Sequence, residues 1–231
     1  MATISVVIPT WRRGVELLSR TVESLHNQSN PPDEILIVDM NTKPDEALGE
    51  LDITTYIHKP SDQFSLSRGF NIGIKHTREN DYILCTGAEM MFSPNYFAEL
   101  EAIMDDKTMA IGPCGFLPKN TDYSGDWDSL VKQVIVGSAS KVSPGTFQCV
   151  HRDWWFKVHG YDETLPFAYV DSDIVQRGAM GGLARKSLSW QEVQVLHQWH
   201  EPSELVSKLG GALSYVTKNK TVIRNPNGWG Q

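Results

Sequence analysis

Short apolar runs alternate with segments of helical periodicity through the first half of the chain. Ile4 to Ile8 is a β-branched run closed by Pro9-Thr10, the pattern of a strand buried on both faces. From Gly14 to Gln28, the positions Val15, Leu18, Val22 and Leu25 fall three and four apart, which predicts a helix. A second apolar run, Ile35 to Val38, ends at Asp39. Strand, helix and strand joined by short links predict a parallel βαβ unit, because parallel neighbours require a crossover. The pattern then repeats with a strand over Ile53 to Ile57, a helix carrying Leu66, Phe70 and Ile74 on one face, and a strand over Tyr82 to Cys85. Ser93-Pro94 has the form of a helix start, with serine as N-cap and proline at the first helical position, leading into Tyr96, Phe97, Leu100 and Met104.

Residues 1 to about 112 therefore predict an α/β half built on a mostly parallel sheet. Residues 113 to 150 lose this regularity, and Asp122 to Asp128 reads as a long surface loop. Beyond Val150 the pattern predicts helices over Arg152 to Val158 and Asp171 to Met180, then a strand over Val193 to His197. Ser203 to Leu209 reads as a short helix, and the Gly/Asn/Pro tail is expected to be poorly ordered at its end.

Length and composition narrow the picture. A chain of 231 residues with 40% hydrophobic content can bury one good core, and is short for two domains with a linker. One domain over 1–231 is expected, divided at about 112 and 200. Twenty-one basic against 28 acidic residues, net −7, give no general attraction to nucleic acid or to an anionic membrane. Met1 to Pro9 lacks the basic and long apolar regions of a signal peptide, and no apolar run approaches the ~18 residues of a membrane span. Cys85, Cys114 and Cys149 are odd in number and lack metal-ligand spacing, and Cys85 lies in an apolar run that predicts a reduced, buried thiol, which fits a cytoplasmic setting.

The polar residues at element ends are the candidates for chemistry. Asp39 closes a strand where open α/β sheets bind ligands, although it equally suits a turn before Asn41. Its place beside Pro9, Thr10, Trp11 and Arg12 favours a nucleotide pocket. Arg68 and Asn71 sit on the helix that follows the polar residues Ser65 and Ser67, with Gly69 and Gly73 permitting close approach, and a guanidinium there suits phosphate. Glu89 follows a buried strand and precedes Met90-Met91-Phe92, so it is either a satisfied buried carboxylate or a hard oxygen ligand for a divalent cation. Asp171 and Asp173 begin a helix, where the dipole favours both, and Asp173 can meet Arg177 four residues on. His197 and His200 could ligate zinc as a pair, but one histidine joining Glu89 around Mn2+ or Mg2+ fits better. Trp127, Trp154, Trp155 and Trp199 are aromatic enough to stack on a sugar or base, or to fill a core.

In their order, these segments resemble the family 2 glycosyltransferases of the A-type nucleotide-sugar fold, and most closely the branch of chondroitin polymerase and polypeptide N-acetylgalactosaminyltransferase domains. Ser5 to Arg13 resembles the family's first strand and loop, Ile35 to Asp39 its base-binding strand, and Ser67 to Gly73 its donor-binding helix. Val158 to Glu163 resembles its Gly-Phe/Tyr-Asp-Glu turn. Tyr169 to Arg177, with Gly181-Gly182, resembles the segment that carries its catalytic base. The chain departs from the pattern at Gly87-Ala88-Glu89, where the family usually has Asp-x-Asp, at Met40-Asn41-Thr42 in place of Asp-Gly-Ser, and at Val170 in place of Glu.

The resemblance implies an α/β, Rossmann-like A-type domain with a mostly parallel central sheet flanked by helices. It implies an inverting, metal-dependent hexosyltransferase moving a sugar from a nucleoside-diphosphate donor, UDP favoured, to an acceptor hydroxyl. Residues 1–112 would hold the donor and 113–200 the acceptor. Pro9, Thr10, Trp11, Arg12, Asp39, Arg68, Asn71 and Ala88 would bind the nucleotide-sugar. Glu89 and His197 would hold Mn2+ or Mg2+, and Asp171 would act as base. Trp155, Asp173 and Trp199 would face the acceptor, which could be a saccharide, a lipid-linked sugar, a protein, a metabolite or modified nucleic acid. A non-catalytic nucleotide-sugar-binding module, a nucleotidyltransferase and, weakest, a zinc hydrolase on His197 and His200 are the rival readings.

Overall fold

The computed structural model describes residues 2–138, 142–143, 145–165, 167–201 and 212–231. Its first half runs β1 (Ile4–Thr10), α1 (Val15–His26), β2 (Glu34–Asp39), α2 (Glu46–Gly49), β3 (Thr55–His58), α3 (Leu66–His76), β4 (Tyr82–Thr86), β5 (Met90–Phe92) and α4 (Tyr96–Ile103). The second continues β6 (Thr108–Ala110), β7 (Gly112–Pro113), β8 (Gly115–Phe116), α5 (Trp127–Lys132), β9 (Val142–Ser143), β10 (Phe147–His151) and α6 (Arg152–Val158). It ends with α7 (Val170–Met180), β11 (Ala184–Lys186), β12 (Val195–His197) and α8 (Ala212–Lys218).

Among the described residues seven strands form the central sheet, in the order β11-β6-β10-β4-β1-β2-β3. Strands β1 to β4 are mutually parallel, and only β10 is reversed, between β4 and β6. The expected mostly parallel sheet with flanking helices is the fold observed. Its strands are apolar on both faces because both are covered: Val6 and Ile8 pack in one cluster with Leu18 and Leu25 of α1, while Val7 between them packs with Phe70 and Ile74 of α3. Strand β1 also runs on through Pro9, which lacks an N–H. Its pairing with β4 stops at Val7, so no ladder bond is lost on that side.

Helix α3 lies unusually close to the sheet. A Cβ on Gly73 would stand 2.2 Å from Val7 Cγ1, and one on Gly69 would stand 2.6 Å from Pro9 Cβ. The two glycines admit strand side chains, not a ligand. Gly73→Ala is expected to lower stability by about 1–3 kcal/mol through overpacking, measured by urea unfolding. An unchanged midpoint would mean that α3 can shift outward freely.

Three expectations are corrected. The irregular stretch 113–150 contains β10 in the middle of the main sheet, and Asp126 caps α5 within the supposed loop by accepting the Ser129 N–H at 2.9 Å. Helix α4 begins at Tyr96, because the Ser93 hydroxyl accepts the Gln194 N–H at 3.0 Å and so ties the end of β5 to the segment before β12. The tail is held: Trp229 is buried, its carbonyl accepts from Lys75 at 2.9 Å, and the Gly230 N–H donates to Glu163 at 2.7 Å. All three cysteines are free and buried, as expected of Cys85. The expected helix over Ser203 to Leu209 lies outside the described residues. Among those described, no helix is long and apolar enough to cross a membrane.

Candidate functional site

Parallel strands aim their carboxyl ends at one edge of the sheet, and here the edge opens into a cavity of about 680 Å³. The end of β1 contributes Pro9 and the loop after it Trp11, Arg12 and Arg13; the turn after β4 contributes Gly87, Ala88 and Glu89; the first turn of α7 contributes Asp171. Volume and mixed lining suit a small-molecule site.

The small sheet assembles an acidic and imidazole cluster. Strand β12 pairs antiparallel with β5 so that His197 stands opposite Met90, and the Gln198 N–H donates to the Glu89 carbonyl at 2.9 Å. Residues 108 positions apart in sequence thus meet at the end of one ladder. His197 Nε2 lies 3.8 Å and His200 Nε2 3.7 Å from Glu89 Oε1. One ligand atom from each of the three falls within 4.8 Å of the others. Two imidazole nitrogens and one carboxylate oxygen, half-buried at a cavity wall, are a donor set that fits a divalent first-row metal such as Mn2+. The single histidine expected beside Glu89 becomes two. The His-x-x-His spacing was the available signal, but a period-two strand would point both side chains differently, and only the end of β12 at His197 lets His200 turn back.

Charge is tuned within the cluster. Burial pushes the Glu89 carboxyl upward, but bonding to His200 and the charges of His197, Arg13 and His200 outweigh it and hold it below its ordinary value. Burial lowers His197, against the pull of Glu89, whereas the bond to Glu89 raises His200.

An aromatic wall accompanies the cluster. Trp11 and Phe64 stack with centroids 5.7 Å apart at 12°, Phe167 leans on Phe64 at 5.9 Å, and the Arg12 guanidinium lies 4.3 Å from the Trp11 centroid. Arg12 itself has φ 53°, a left-handed turn that reverses the chain after β1. Thr146 and Gln148 line the cavity from the segment leading into β10 and from the strand itself; the Tyr161 hydroxyl donates to Gln148. Phe64, Phe167, Thr146 and Gln148 carried no motif by which sequence reading could find them.

The other expected residues are placed differently. Asp39 is fully buried and turned to its own loop, accepting from Asn41 N–H (2.9 Å), Asp45 N–H (3.1 Å) and the Tyr56 hydroxyl (2.6 Å). Burial and that bond push Tyr56 upward, so it remains a donor. Thr10 is buried beside it in register, with no partner for its hydroxyl among the described residues. Arg68 donates twice to the Gln231 carbonyl, at 3.1 and 2.9 Å. Asn71 is buried and bridges α3 to Tyr161 and Glu163. None of these four lines the cavity. Nor do the three residues expected at the acceptor. Trp155 is core, its indole N–H donating to the Ile83 carbonyl; Asp173 is buried between Arg177 and Arg224; Trp199 is half-buried under the Lys119 ammonium.

A family model described as Glycosyl transferase family 2 matches residues 5–181. Among solved structures, a crystal structure of GalNAc-T7 with UDP, GalNAc and Mn2+ is similar, with a TM-score of 0.66 and 17% identity over 87% of this chain and 44% of that one. The chain therefore spans less than half the length of that protein. A comparison with curated proteins gave no match.

Proposed function

The chain belongs to glycosyl transferase family 2, and from that premise we propose that its cavity binds a UDP-sugar and passes the hexosyl group to an acceptor hydroxyl with inversion. The observation that carries this reading is the meeting of Glu89, His197, His200 and Asp171 on one cavity wall system that also holds a stacked aromatic pair. The similar fold crystallised with UDP and Mn2+ supports the choice of nucleotide.

Each side chain has a task that its chemistry suits. Trp11 and Phe64, stacked on each other, give the cavity an apolar edge against which a nucleobase would lie. Asp171, in the first turn of α7, accepts the proton of the acceptor hydroxyl as its oxygen bonds to the anomeric carbon and the bond to the diphosphate oxygen breaks. A divalent cation held by Glu89, His197 and His200 would offset charge on the leaving diphosphate. Thr146 and Gln148, polar, buried and lining the cavity, would hydrogen-bond sugar hydroxyls. Three free, buried thiols support a reducing, cytoplasmic setting.

Calorimetry with UDP and GDP, each with and without Mn2+, tests the reading. Binding of UDP that strengthens at least tenfold with Mn2+ is the expected result. Absence of binding by either nucleotide in every condition would remove the donor site.

A further inference from the structure

We propose that Arg13 is a diphosphate-binding residue held in reserve: without ligand its guanidinium covers the nitrogen through which His200 would take a cation, and once the cation site fills it turns to the diphosphate. This rests on the donor-site reading above.

Arg13 leaves β1 on the loop that lines the cavity, with its side chain only 23% exposed. Its Nη2 lies 3.3 Å from His200 Nε2, and its Nε 3.9 Å from Glu89 Oε2. The tautomer of the neutral ring follows from its other contact. His200 Nδ1 lies 2.8 Å from the Glu201 carbonyl, an acceptor only, so Nδ1 carries the hydrogen and Nε2 presents its lone pair. Arg13 thus stands against the same nitrogen and the same carboxylate that a cation would use.

Arg13 and a bound cation cannot share this position. They compete for one nitrogen and one carboxylate, and their like charges repel at such a distance. Displaced, Arg13 remains on the loop that lines the cavity, and a guanidinium there would pair with phosphate oxygens through two N–H groups. The neighbouring Arg12 is engaged on the Trp11 ring. Among the described lining residues, Arg13 is thus the guanidinium already beside the cluster. Departure from Asp-x-Asp fits the arrangement: with Gly87 in place of the first carboxylate and Glu89 alone in place of the second, Arg13 supplies the neutralising charge while the site waits.

The test is titration of Mn2+, and of UDP at saturating Mn2+, into the wild-type chain, Arg13→Gln and Arg13→Lys, with thermal unfolding to confirm the fold of each. Arg13→Gln is expected to bind Mn2+ about tenfold more tightly without nucleotide, yet UDP about tenfold more weakly, with Arg13→Lys intermediate for UDP. A residue that merely held the loop would move both affinities the same way or neither. Either of those results, or unchanged UDP affinity alone, overturns the proposal while leaving the donor site standing. Failure of the wild-type chain itself to bind UDP with Mn2+ overturns both.

Discussion

Asp171→Asn is expected to slow the release of UDP from a UDP-sugar by about 10²- to 10⁴-fold, with the fold and UDP affinity retained. Loss of a positioned general base typically costs this much, since the amide keeps the shape of the side chain but has no proton affinity at neutral pH. The substitution is safe structurally. Asp171 is half-buried in the first turn of α7, lines the cavity, and is separate from the ion network that its neighbour Asp173 joins. A carboxylate there gains from the helix dipole, worth only about 0.3–1 kcal/mol, so its loss cannot unfold the chain. Stopped-time assay of UDP in the presence of Mn2+, with calorimetry of UDP alongside, separates catalysis from binding. Near-normal turnover by a folded variant would exclude Asp171 as the base.

Asp173→Ala should have the largest effect on stability, about 3–5 kcal/mol, because it removes the carboxylate shared by two buried guanidinium groups and leaves Arg177 with no ion-pair partner among the described residues. Asp173 Oδ2 lies 3.3 Å from Arg177 Nη1 and its Oδ1 3.0 Å from Arg224 Nη2, and the three side chains are 0–4% exposed. Arg177 is otherwise spent on the carbonyls of Val222 and Val158, and Arg224 on Asp162 at 2.8 Å. In a chain of this size, the loss corresponds to a fall in Tm of roughly 10 °C. A loss below about 1 kcal/mol in denaturant unfolding would mean that water reaches the stranded Arg177. Asp162 gives the network a pH signature. Burial would raise its carboxyl, but bonds from Thr164 and Tyr215 and the Arg224 charge outweigh that and lower it. Its folded value lies below the unfolded one, so its contribution is complete above the ordinary carboxylate range and is lost as pH falls through the lower folded value.

What the sequence by itself determined was the frame. The runs at β1, β2 and β4 and the periodicity of α1, α3, α6 and α7 were legible because each element's own residues encode burial on two faces or on one stripe, which is local information. The Asp173–Arg177 pair was legible for the same reason, being one helical turn apart. Strand β10 was not: Phe147 to His151 is five residues without alternation after a Gly/Pro-rich stretch, and it becomes a strand by filling the slot between β4 and β6. The family resemblance already named Glu89 with His197 and Asp171, and the tertiary structure added His200 and decided which other residues reach the cavity. Pairing of β5 with β12 brings Glu89 to His197 and His200, and the same folding turns Asp39 onto its loop, Arg68 onto the tail and Trp155 into the core. A side chain's type sets what it can bind; which partner it meets depends on long-range pairing, which no local pattern records.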